Sequence, residues 1–117
     1  MQIKLSKIVD AVDSLNVLVE TKFPAKVSYR IKRLVDKLEP ILKTYNEKKN
    51  ELVKEYGETQ EDGSISVTDP EKLKEFFPKV SEILEVEEEI AFEPIPSEML
   101  GDTEVEAKHL LDFVFTD

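Results

Sequence analysis

Cysteine and tryptophan are absent from this 117-residue chain, histidine occurs once and glycine three times. Without cysteine there are no disulfides and no thiolate nucleophiles or metal ligands, so a reducing compartment is permitted. The three glycines form no phosphate-cradling loop. No apolar run approaches the ~18 residues that a membrane-spanning helix needs. The opening stretch MQIKLSKIVDAVDS breaks its apolar residues with acids and has no cleavage-like end, so it is not read as a signal peptide. The expectation is a soluble, cytoplasmic protein with no cofactor and no membrane contact.

What the chain does have is a long amphipathic stretch, Ala25 to Tyr56. Val27, Ile31, Leu34, Val35, Leu38, Ile41, Leu42 and Tyr45 recur at spacings of three, four and seven, which is one apolar stripe on a 3.6-residue period. The spacing predicts a single helix over 25–56, about 48 Å long at ~1.5 Å rise per residue. A compact domain of this chain length is roughly 35 Å across. The helix therefore protrudes or bends, with Pro40 as the bend point because it has no N–H for the carbonyl of Asp36. Beyond Tyr45 the stripe thins to Leu52, Val53 and Tyr56. Gly57 is expected to close the helix in a left-handed cap.

The other elements are short. Ser6 is read as the N-cap of a helix over 7–20, ended by Lys22-Phe23-Pro24, with Pro24 opening the long helix as its antiparallel neighbour. Asp62-Gly63 centres a hairpin over 58–67, since Asp-Gly tolerates the positive φ of tight turns. Asp69-Pro70 reads as N-cap and first residue of a helix over 70–85, kinked at Pro78. EEEIAFEP alternates into a strand over 87–93, expected to pair with Ile65–Val67. A short turn at Ser97–Leu100 and a final helix over 106–115 complete the chain. The fold class is α+β, mostly helical: one domain with a long helical hairpin, a small antiparallel β element and a short C-terminal helix.

Net charge is −10, unevenly spread. Residues 22–54 hold ten basic and four acidic side chains, whereas residues 55–117 hold four and nineteen. Lys26, Arg30, Arg33 and Lys37 are spaced four, three and four, which makes a basic stripe on one helix face. Two readings stand: the stripe pairs with the acidic half of its own chain, or it binds a partner. Nucleic acid is the weaker partner, because no aromatic interleaving or helix-turn-helix supports base reading. Glu87, Glu88 and Glu89 are read as a solvated guard of an edge strand, and with Glu93 they are expected to form an acidic surface.

Other chemistry is thin. Glu106-x-x-His109 has the spacing of half a di-iron site, but the second histidine does not exist, so His109 is read as a satisfied surface residue. Residues 58–69 imitate a calcium loop at Gly63 and Ile65, yet carry Glu58 and Asp69 where aspartate and a bidentate glutamate belong. No serine or threonine is paired with a base by sequence spacing, so neither a catalytic residue nor a metal site is assigned.

From Ser28 onward the chain resembles small, uncharacterised proteins of tailed bacteriophages. The resemblance is carried by Ser28, Arg30, Lys32 and Arg33, by Glu51-Leu52 and Lys54-Glu55-Tyr56-Gly57-Glu58, by Glu61-Asp62-Gly63 and by Pro94 and Pro96. Pro40 departs from the pattern. The resemblance implies a phage source, hence host cytoplasm, and no known activity. The resulting expectation is a non-enzymatic protein-interaction protein, acting in particle assembly or on host machinery, with possible self-association through the long helix. The alternative is an acidic decoy that mimics nucleic acid before a host nucleic-acid-binding protein.

Overall fold

A computed structural model describes residues 1–116. The protein is mixed α+β and mostly helical, built on α3, Ala25–Tyr56, whose bounds are those the apolar period predicts. Val27, Ile31, Leu34, Leu38 and Tyr45 of α3 enter the main hydrophobic cluster. Leu52 is also buried but lies outside that cluster. The helix protrudes: the molecule measures 52 × 30 × 22 Å, with a radius of gyration of 17.6 Å, against about 13 Å for a compact domain of similar length. Pro24 is not the first helical residue; it precedes α3, and its carbonyl accepts the amides of Val27 and Ser28.

Three expectations fail at the start of the chain. Gln2–Lys4 is a strand, β1, and the helix after it starts at Leu5 rather than at residue 7. Ser6 is therefore inside the helix and caps nothing. The start is set by strand pairing, since the Leu5 amide donates to the Val86 carbonyl at 2.8 Å. The helix is also interrupted at Ala11, which separates α1 (Leu5–Asp10) from α2 (Val12–Glu20).

Gly57 ends α3 in extended backbone, φ −92° and ψ 168°, and not in a left-handed cap. Its need for glycine is a close approach: a Cβ there would lie 2.3 Å from the Val53 carbonyl oxygen and 2.6 Å from Ile65 Cγ2. The hairpin forms as the Asp-Gly signal predicts, from β2 (Glu58–Thr59) and β3 (Ile65–Ser66), with Gly63 at φ +87°. Asp62 Oδ1 accepts both the amide and the hydroxyl of Ser64, which holds the Asp62 carboxyl below its usual range. Helix α4, Pro70–Leu84, is capped by Asp69 Oδ1 accepting the Glu71 amide at 2.9 Å, and it runs through Pro78.

The strand expected over 87–93 is shorter and has a different partner. β4, Glu87–Glu89, pairs antiparallel with β1, not with Ile65–Val67. Ile3 is buried within β1, and this burial selects the pairing. Ala91–Pro94 follows outside any sheet. The final helix does not form. Ala107–His109 is one 3₁₀ turn, and β6 (Phe115–Thr116) pairs in parallel with β5 (Ile95–Pro96). Phe113, Val114 and Phe115 are consecutive and all buried, which no single helix face provides. Ser97–Leu100 is the expected short turn.

Candidate protein-interaction face

The basic stripe divides into two pairs. Arg30 and Lys37 are half-buried and turned onto the segment after β4. Arg30 Nη2 donates to the Glu93 carbonyl at 2.6 Å, and its guanidinium lies 5.7 Å from the centroid of the Phe92 ring. Lys37 Nζ donates to the Ala91 carbonyl. The cause is local: these carbonyls belong to backbone outside any sheet, which leaves their oxygens free to accept from side chains. Intramolecular pairing of the stripe thus reaches backbone oxygens, whereas the sequence pointed to carboxylates.

Lys26 and Arg33 are exposed, and neither forms an ion pair among the described residues. Between them stands Tyr29, 65% exposed. Lys26, Tyr29 and Arg33 follow at spacings of three and four, so the ring sits on the same outward face as the two cations. Sequence reasoning overlooked Tyr29. Its signal was available: it falls off the apolar stripe and between two basic residues, where an aromatic has no core to enter.

The acids of the C-terminal half pair with other cations. Lys7 meets Asp112 at 2.8 Å, which holds that carboxyl below its usual range; Lys4 meets Glu85 at 3.3 Å and Lys72 meets Glu58 at 3.8 Å. Glu87, Glu88, Glu89 and Glu93 do not form one acidic surface. Glu87 and Glu89 point to the face opposite Glu88, as alternation in a strand requires. Glu89 accepts the Met1 nitrogen at 3.1 Å, Glu88 is half-buried, and Glu93 contributes its carbonyl to Arg30.

His109 is half-buried, and its Nδ1 lies 2.9 Å from Ser14 Oγ. Fold topology makes a serine–histidine pair that no sequence spacing indicated. The Glu106 carboxylate turns to Lys108 at 3.3 Å instead of towards the ring. No carboxylate hydrogen-bonds His109 among the described residues, so the base lacks the orienting third group of a nucleophilic site. The pair ties the 3₁₀ turn to α2.

No protein-family model, curated protein or solved structure matches the chain. Among the described residues no helix is long and apolar enough to cross a membrane. The exposed Lys26–Tyr29–Arg33 face is thus read on its own chemistry.

Proposed function

We propose that this protein is a non-enzymatic, phage-type binding protein that engages another protein through Lys26, Tyr29 and Arg33. The observation that carries the reading is the exposed Tyr29 ring between two exposed cations that form no ion pair among the described residues. Tyrosine and arginine dominate binding energy at protein interfaces, because each offers a rigid, partly apolar surface with a polar end. A cationic face on a chain of net charge −10 also steers a locally acidic partner into one orientation. The same net charge opposes the phosphate backbone of nucleic acid. Assembly of a particle and modulation of host machinery both suit such a face.

A photo-crosslinking residue at exposed position 25, one helical turn from Tyr29 and leaving it intact, tests the reading in bacterial lysate. A discrete protein adduct that Arg33→Glu abolishes is the expected result. The absence of any adduct, with the protein folded, overturns it. The acidic-decoy reading draws on Glu98, Asp102 and Glu104, which are exposed and without ion pairs among the described residues. It is favoured instead if the captured protein is a nucleic-acid-handling one that binds Arg33→Glu undiminished and is released by salt.

A further inference from the structure

The basic–aromatic face continues, along the same side of α3, into an apolar groove. Lys26, Arg33 and Pro40 follow at spacings of seven and Thr44 four further on, and all four are exposed. Pro40 and Thr44 line one wall of the groove together with Ile41; Ile83 and Val86 line the other, and the buried Leu5 also borders it. Its volume is about 420 Å³. Val86 is left 48% exposed there, and Ile41 and Ile83 are half-buried, so the groove holds apolar surface that this fold does not cover.

Resting on the reading of Lys26, Tyr29 and Arg33 as a binding face, we infer that face and groove together take one amphipathic segment of a partner protein. Its carboxylates meet Lys26 and Arg33, and its apolar side chains enter the groove beside Pro40. Continuity along one helix side argues for one occupant. Charge argues for its direction. Glu88 borders the groove, forms no ion pair among the described residues and repels carboxylates from it, while Lys48, also at the groove, is engaged by Glu51 at 3.3 Å. An acidic segment laid in the opposite direction meets Glu88 instead of Arg33, which is discrimination by repulsion as well as attraction. From Arg33 to Thr44 the helix rises about 16 Å, and this sets the separation of acids and apolar anchor in the partner.

Three fluorescein-labelled helical peptides test this by fluorescence polarisation. The first carries glutamates and leucines about 16 Å apart; the second has its leucines replaced by serine; the third has its glutamates replaced by glutamine. The first is expected to bind about tenfold more tightly than either of the others, the loss typical of an interface anchor. Thr44→Arg, an exposed change that fills the groove, is expected to reduce the first peptide to the level of the second. Arg33→Glu is expected to reduce it to the level of the third. Equal binding of the first and second peptides, unaffected by Thr44→Arg, removes the groove and leaves the basic face standing. Equal binding of the first and third, unaffected by Arg33→Glu, removes the basic face and this inference with it. Failure of all three peptides to bind a protein shown to be folded overturns the inference.

Discussion

The guanidinium of Arg30 lies over the ring of Phe92, 5.7 Å from its centroid, while Nη2 donates to the carbonyl of the next residue, Glu93. A cation that serves both a ring and a backbone oxygen is a structural clasp. It explains why two neighbouring arginines on one helix face, Arg30 and Arg33, have different roles.

Arg30→Ala is expected to destabilise the protein by about 2–3 kcal/mol, the sum of a charged hydrogen bond and a cation–π contact. Arg33→Ala, at an exposed site with no ion pair among the described residues, is expected to stay within about 0.5 kcal/mol. Thermal melts at low salt compare the two. Equal losses would show that the stripe acts as one unit.

Gly57→Ala is expected to cost more than Gly63→Ala. At Gly57 the added methyl meets the Val53 carbonyl oxygen and Ile65 Cγ2, so helix end or hairpin must shift. At Gly63 nothing lies within 4 Å, and only the positive φ is unfavourable, worth about 1–2 kcal/mol. Denaturant midpoints of the two variants decide; the reverse order contradicts the packing at the α3–hairpin junction.

Lys7 holds the Asp112 carboxyl below its ordinary value, chiefly by a side-chain hydrogen bond. A carboxyl with a lowered folded-state pKa contributes stability above the unfolded value, about 3.9. That contribution is lost as pH falls through the folded-state pKa. Both side chains are exposed, so the effect is small and screened by salt. A carboxyl titration followed by NMR is expected to move upward in Lys7→Met. No movement would mean that the pair does not persist in solution.

Towards the far end of α3 Leu52 is buried, and the Tyr56 ring meets the buried Phe76 of α4 edge-on, centroids 6.4 Å apart. This group lies outside the main cluster. Phe76→Ala is expected to raise amide exchange from Leu52 to Tyr56 while Ile31–Leu38 stays protected. Uniform loss of protection would show that tip and body unfold together.

The elements that sequence exposed most clearly are those with local causes. The 3.6-residue period of Val27 to Tyr45 marks α3, Asp62-Gly63 marks the hairpin, and Asp69-Pro70 marks the start of α4. What sequence concealed depends on residues far apart in the chain. Ile3 gives no strand signal alone, because its burial depends on β4. Leu110, Leu111 and Val114 imitate a helix face, yet Val114 is fully buried and its carbonyl accepts the Ile95 amide at 2.7 Å. The basic stripe was legible as a stripe. Its division was not, since the acceptors for Arg30 and Lys37 are backbone oxygens, which every sequence has everywhere.

The pairing of β1 with β4 also orders events in time. Helix α3, the hairpin and α4 are built from neighbours in sequence and can form as the chain leaves the ribosome. β1 emerges before them and waits, its backbone groups unpaired, until Glu87–Glu89 has followed α4. The Ile95–Phe115 pairing comes later still. The burial of Ile3 therefore cannot be completed before the chain has been made as far as Glu88, its partner in β4.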